Sequence, residues 1–323
     1  MTPVSAAITL QVMVLGAGTM GHGLALLAAK AGNPVFLVDS EPAALEKAQV
    51  LIRSQLEWLR QEGELGTESP QQVLDRIQPL KNFEDAVSAC DLVLEAVSED
   101  ETVKADLFQN LASRISSDCI VASNTSYLDV FSIAGPDILP RLAIAHFYAP
   151  PYLIPLVEVV GGEKTAQDVV PRLASILDRM GQRPVVMQRF IPGYIVNRLQ
   201  RALGREIFYL LDNGYAGPEE IDEAVQASLG LRMPVLGVVR RYDFTGLDIS
   251  LKFLSNPSIY PAGENPLPPS LKARIDAGDL GVKTGRGFYP YGNRSTADIL
   301  QERDRRLLAL RRFLARENIA LKF

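Results

Sequence analysis

Apolar positions fall into two textures along this chain. Between residues 10 and 190, short β-branched runs alternate with longer stretches whose apolar residues recur every three or four positions, which predicts β–α–β units and a parallel sheet. Leu10–Leu15 reads as a strand, Thr19–Ala31 as a helix and Val35–Asp39 as a second strand. A long helix from about Glu41 to Glu62 follows, with Ser40 as its N-cap and Pro42 in its first turn. Its apolar face is Ala44, Leu45, Ala48, Leu51, Ile52, Leu56 and Leu59. Gly63 and Gly66 end it, and Ser69-Pro70 opens a return helix, so residues 41–77 form a helical hairpin. Further strands are expected at Leu92–Ala96, Ile120–Ser123, Leu142–His146, Leu156–Val160 and Pro184–Met187. Beyond Pro192 strand-like runs vanish. Leu199, Leu203, Ile207, Leu210 and Leu211 mark one helical stripe, and Ile221, Val225 and Leu229 another. The predicted architecture is a Rossmann-type, mostly parallel α/β domain (residues 1–190) followed by an all-helical domain (residues 191–323) that carries part of a substrate cleft and forms a homodimer.

The chain has 323 residues, 22% charged, and a net charge of −5. There is no basic excess to neutralise phosphates, which argues against a nucleic-acid or anionic-membrane surface as partner. Residues 1–29 carry no formal charge, but they lack a basic leader and Gly16, Gly18, Gly21 and Gly23 interrupt them, so a buried strand entering a helix fits better than a signal peptide or a span. Two cysteines, Cys90 and Cys119, give no disulfide framework. The expectation is a soluble, cytoplasmic protein without a metal. With only His22 and His146 in the chain, a histidine base must be one of these two.

Gly16-Ala17-Gly18-Thr19-Met20-Gly21 is a G-x-G-x-x-G between a predicted strand and a predicted helix. Glycines there permit a tight turn, close approach of a pyrophosphate, and close packing of helix on strand, while the helix N-terminus offers free N–H groups to the phosphates. Asp39 closes the second strand, where a carboxylate accepts from ribose hydroxyls and repels a 2′-phosphate. No arginine follows in Ser40-Glu41-Pro42, so the expected cofactor is NAD rather than NADP. His22, just past the motif, reads as a half-exposed helix residue, with a phosphate or substrate contact as the sharper alternative.

His146 ends one predicted strand, and Glu158 interrupts the apolar run of the next. A lone carboxylate in such a strand is costly to bury unless paired. If the linker Phe147–Pro155 turns the chain back, Glu158 meets the imidazole, fixes its tautomer and stabilises its protonated form. Ser126 lies in the polar loop after Ile120–Ser123, at the carboxyl edge where α/β sheets bind ligands. Asn197, an amide in an apolar helical pattern, is placed to serve an interdomain cleft.

Taken together, Gly16–Gly23 (GAGTMGHG), Glu95–Lys104 (EAVSEDETVK), Ser123–Leu128 (SNTSYL), His146–Val159, Gly193–Arg198 (GYIVNR) and Gly281–Tyr289 (GVKTGRGFY) resemble the 3-hydroxyacyl-CoA dehydrogenase family over Val12–Tyr291. The resemblance implies that His146 takes a hydroxyl proton as hydride passes to NAD, that Glu158 orients it, and that Ser126 and Asn197 hold the substrate oxygen. It also implies dinucleotide contacts for Glu99, Lys104 and Lys283, which spacing alone reads as surface charges. Three features depart from the family pattern. Its usual His-Phe-Phe-Asn-Pro is His146-Phe147-Tyr148-Ala149-Pro150 here, which removes an amide beside the nicotinamide. Arg53 and Arg60 in the hairpin are offset by Glu57, Glu62 and Glu64, which weakens attraction for CoA phosphates. About 30 residues follow Tyr291, with an arginine-rich amphipathic helix over about Thr296–Glu317. This tail and Pro150–Glu158 (PPYLIPLVE) look more like the free-acid branch of the family, such as L-gulonate 3-dehydrogenases. The expected activity is NAD-dependent oxidation of a secondary hydroxyl β to a thioester or carboxylate, most simply an L-3-hydroxyacyl-CoA in fatty acid metabolism. The alternatives are a free hydroxy acid as substrate, and a non-catalytic NAD-binding structural protein.

Overall fold

The β-branched runs of the first half form one eight-stranded sheet in the computed structural model, which describes residues 9–84, 86–259 and 268–317. The strands are β1 (Val12–Leu15), β2 (Val35–Val38), β3 (Ile77–Leu80), β4 (Leu92–Glu95), β5 (Ile120–Ser123), β6 (Leu142–Phe147), β7 (Leu156–Gly161) and β8 (Arg183–Val186). Their order is β3-β2-β1-β4-β5-β6-β7-β8, and every neighbouring pair is parallel except β6 and β7. This confirms the Rossmann-type, mostly parallel sheet. The central strands β1, β4, β5 and β6 are buried at every residue, as strands covered on both faces must be.

Helices α1 (Gly21–Lys30), α2 (Pro42–Gln61), α3 (Pro70–Leu74), α4 (Glu101–Ala112), α5 (Val130–Ile133) and α6 (Val169–Arg179) complete this half. On α2 the expected stripe is the buried one: Leu45, Ala48, Ile52, Leu56 and Leu59 face inward, and the helix packs on α1 and α3. The expected N-cap differs. Glu41, not Ser40, occupies that position and makes no side-chain cap; the Glu41 N–H instead donates to Asp39 Oδ1 at 3.0 Å. The return helix does begin with a capping box, in which Ser69 Oγ accepts from Gln72 N–H and the Gln72 side chain accepts from Ser69 N–H. The hairpin is shorter than expected, because its return helix ends at Leu74 and Ile77 already belongs to β3. That strand escaped the sequence reading because Pro79 argues against a strand. It tolerates the missing N–H by lying at the sheet edge.

Contacts divide the chain into two compact units, Met1–Ile195 and Val196–Phe323. The second is built from α7 (Val196–Asp212), α8 (Pro218–Val225), α9 (Leu231–Leu236), α10 (Arg240–Thr245), α11 (Leu247–Leu254), α12 (Pro269–Asp276) and α13 (Thr296–Arg316). A π-helical stretch, Gln226–Gly230, joins α8 to α9. Among its described residues the only strand-like pairings are single bridges at Gly281–Arg286 and Arg286–Pro290. The parts of the expected helical domain at 260–267 and 318–323 lie outside the described residues.

Candidate active site

The glycine turn is held by contacts that admit no side chain. Gly16 has φ +96°, and a Cβ on it would run into the Ala96 carbonyl; one on Gly21 would strike the Gly16 carbonyl. A Cβ on Gly18 meets nothing within 4 Å. Gly18 and Thr19 are exposed and Met20 half-buried, so the turn presents open backbone directly before the N-terminus of α1. That is the cradle a pyrophosphate requires. Asp39 sits beside it, its carboxylate held by Ala17 N–H (2.8 Å) and Glu41 N–H (3.0 Å) and still half-exposed. These residues fit an NAD adenosine and pyrophosphate.

His22 lies behind the turn. Its Nδ1–H donates to Gly18 O (2.8 Å), which leaves Nε2 to accept from the Gln55 amide of α2 (3.1 Å). Burial lowers its proton affinity, outweighing the carbonyl contact that raises it. A neutral imidazole therefore ties the turn to the hairpin.

A second layer lies at the carboxyl ends of β4 and β5. Glu95 and Lys104 are enclosed, the ammonium 2.6 Å from Glu95 Oε1 and 3.4 Å from Glu99 Oε2. Ser123 Oγ donates to Glu95 Oε2. Glu99 Oε1 in turn accepts from Thr125 Oγ1 (2.8 Å), Ser126 N–H (2.6 Å) and Tyr127 N–H (3.2 Å). A lysine and a carboxylate as deep as Lys104 and Glu95 are tolerable only because each has partners. The result is a loop at Thr125–Tyr127 fixed by a carboxylate that is itself fixed by Lys104. The Ser126 hydroxyl makes no hydrogen bond among the described residues.

The chain does turn back after β6. In the antiparallel register His146 lies directly opposite Glu158, and Nδ1–H donates to Glu158 Oε2 at 3.1 Å. Both side chains are buried, and Nε2 is left as the basic nitrogen. Glu158 also accepts from the Tyr148 hydroxyl (Oε2, 2.7 Å) and from Ile195 N–H (Oε1, 2.9 Å). The imidazole lies between the rings of Tyr148 and Tyr194, each with its centroid 4.7 Å away. Tyr194 adopts φ +50°, and its hydroxyl donates to Thr125 O at 2.7 Å. Burial, then the carboxylates of Glu99, Glu158 and Glu95, push that phenol's pKa upward, so it remains a donor. Tyr194 thereby links the Ser126 loop to the imidazole.

The first unit thus gathers His146, Glu158, Ser126, Glu99 and Lys104, with the Gly16–Gly21 turn and Asp39 at the same edge of the sheet. Asn197, half-buried in the first turn of α7, and Lys283, exposed on a 3-10 turn at Val282–Thr284, belong to the second unit. Sequence reasoning passed over Glu95, Tyr148 and Tyr194. Tyr148 had a signal, since a residue two positions beyond His146 shares its face of an extended chain. Tyr194 had none, because its reach to Thr125 spans 69 residues. Cys90 and Cys119 are buried and their thiols pushed up to about 12 by that burial, so neither is a nucleophile. Among the described residues no cluster of three or more His, Cys, Asp or Glu is arranged for a metal, and no helix is long and apolar enough to cross a membrane.

A mostly parallel open sheet with a glycine turn and an acidic residue after its second strand defines a dinucleotide-binding protein. Residues 11–190 match the 3-hydroxyacyl-CoA dehydrogenase NAD binding domain, and residues 193–291 the C-terminal domain of the same family. The chain belongs to the 3-hydroxyacyl-CoA dehydrogenase family, and its cofactor is NAD. It is 33% identical to the 5-formyl-3-hydroxy-2-methylpyridine 4-carboxylate 5-dehydrogenase of Mesorhizobium japonicum, over 94% of this chain and 97% of that one. A solved structure of an enzyme of that description, an NAD+-dependent dismutase, aligns with a TM-score of 0.84 and 31% identity, covering 95% and 99% of the two chains. A probable 3-hydroxybutyryl-CoA dehydrogenase of Bacillus subtilis is 34% identical, over 88% of this chain and 99% of its own.

Proposed function

We propose that the chain oxidises the hydroxyl of a small free carboxylate, with His146 as the general base. The observation that carries the catalytic part is the cross-strand pair: a buried imidazole whose Nδ1 is held by Glu158. As the carbinol carbon becomes a carbonyl, Nε2 takes the hydroxyl proton, and Glu158 stabilises the imidazolium that results. The Ser126 hydroxyl, on a loop pinned by Glu99, donates to the substrate oxygen. NAD, when bound, supplies the hydride acceptor. Gly16, Gly18, Thr19, Met20 and Gly21 would hold its pyrophosphate and Asp39 its adenosine ribose, and Glu99 would contact the dinucleotide. Lys104 serves it through Glu99, being 1% exposed.

The preference for a free acid over an acyl-CoA rests on the hairpin and the tail. Arg60 of α2 is bound by the Glu57 carboxylate, whose own pKa it lowers, so it offers little field to a CoA phosphate. The helix α13 lies beyond residue 291, where the family match ends, yet the pyridine-carboxylate enzyme matches 94% of this chain. The second reading, an L-3-hydroxyacyl-CoA substrate, is favoured by the 3-hydroxybutyryl-CoA relative. A second copy of the chain is the proposed partner. Leu231, Val239, Leu247, Leu251, Phe253 and Leu254, on α9–α11 and the turn between, are each 58% or more exposed, an apolar area of the kind that soluble monomers avoid.

NADH formation at saturating NAD, from free hydroxy carboxylates (hydroxymethyl-pyridine carboxylates and aldonates) and from 3-hydroxybutyryl-CoA, tests the substrate assignment. At least one free acid is expected to have a kcat/KM above that of the thioester by ~100-fold or more, about 2.7 kcal/mol of transition-state binding. A thioester preference of that size would establish the second reading instead.

A further inference from the structure

We propose that Tyr148 is a positioning residue for the catalytic pair, an inference that rests on His146 and Glu158 acting as base and orienting carboxylate. Tyr148 follows the last residue of β6 and sits two positions beyond His146, which turns its ring to the imidazole side of the extended chain. Its ring meets the imidazole nearly edge-on, at 69° and 4.7 Å between centroids. Its hydroxyl donates to Glu158 Oε2, the same oxygen that accepts from His146 Nδ1–H. At 2.7 Å the phenol makes the shorter of the two bonds, against 3.1 Å for the imidazole.

Two consequences follow from sharing one oxygen. First, both oxygens of Glu158 are tethered: Tyr148 O–H donates to Oε2 and Ile195 N–H to Oε1, so the carboxylate is oriented before any substrate arrives. Second, the negative charge of Oε2 is divided between two donors, which weakens the Nδ1–H bond relative to an undivided carboxylate. Tyr148 therefore trades some strength in the His146–Glu158 bond for a fixed geometry. The Phe147 N–H, bound to Asn124 Oδ1 at 2.9 Å, anchors the segment from which the phenol reaches.

The substitution Tyr148→Phe keeps the ring and removes the hydroxyl. In the full-length protein it is expected to lower kcat about tenfold, the equivalent of ~1.4 kcal/mol, while the KM for NAD stays within twofold. The 1H resonance of His146 Nδ1–H, assigned by its loss in His146→Gln, is expected to move downfield, because the phenol no longer competes for Oε2. In a Glu158→Ala background the same change is expected to alter kcat less than twofold, since Tyr148 acts through the carboxylate. An unmoved resonance with wild-type kcat, or a tenfold loss that persists in Glu158→Ala, would overturn the proposal. Full turnover in His146→Gln or in Glu158→Ala would overturn the base reading itself. That result is distinct from failure of Tyr148 alone, in which those two variants lose turnover and Tyr148→Phe keeps it.

Discussion

His146 meets Glu158 because β7 returns along β6 in a register that sets them opposite one another, so a strand pairing and not a local motif builds the pair. The sequence announced both members: a histidine closing an apolar strand, and a carboxylate interrupting the next. It did not announce Tyr194, which reaches the pair from another part of the chain. Asp39 was legible from its place at the end of the second strand, whereas the helix N-cap expected at Ser40 falls at Glu41, whose N–H donates to Asp39. Replacing it by arginine removes a ribose acceptor and supplies a phosphate partner. Asp39→Arg is expected to move the ratio of kcat/KM for NADP over NAD upward by about tenfold or more, read from initial rates with each cofactor. His22 allows a prediction about stability. Its folded-state proton affinity is lowered by burial, so below its unfolded pKa of 6.5 the unfolded chain binds more protons than the folded one. This contribution to stability is complete above pH 6.5 and declines as the pH falls below it. Thermal midpoints at pH 7.5 and 5.5 are therefore expected to differ less in His22→Gln than in the wild type; equal differences would exclude His22 as the source.

At the scale of elements, the long periodic stripes read correctly and the short irregular elements did not. The apolar face of α2 was visible because seven positions repeat at helical spacing, and all its buried members except Trp58 are drawn from that set. The strand β3 was hidden by Pro79, which an edge position excuses. The capping box on α3 was only half visible: Ser69 and Pro70 announced the start, and Gln72 completed it. Ser69→Ala is expected to cost about 1 kcal/mol, measurable by urea unfolding. The glycine turn is less forgiving, because a methyl on Gly21 would meet the Gly16 carbonyl and no side-chain rotation relieves a clash between backbone atoms. Gly21→Ala is expected to abolish NAD binding, and micromolar affinity in that variant by fluorescence titration would show that the turn can reshape.

For the molecule as a whole, the two textures of the sequence correspond to two units of different character. The first buries its apolar runs within one sheet and its covering helices. The second leaves α9–α11 with leucine and phenylalanine side chains facing solvent, and periodicity alone cannot say which stripes a chain buries in itself and which it buries in a partner. A homodimer is expected in solution, and placing a charge at Leu251 or Phe253 should yield a monomer by light scattering; a monomeric wild type would contradict the assignment. The central claim, however, is chemical. It is tested most directly by comparing wild type and His146→Gln for single-turnover NADH formation on the best substrate, alongside NAD affinity measured on the same samples. The expected result is a loss of about 10²–10⁴ in rate with NAD affinity unchanged. A rate within a few-fold of wild type would show that the proton leaves by another route and that the buried pair is structural.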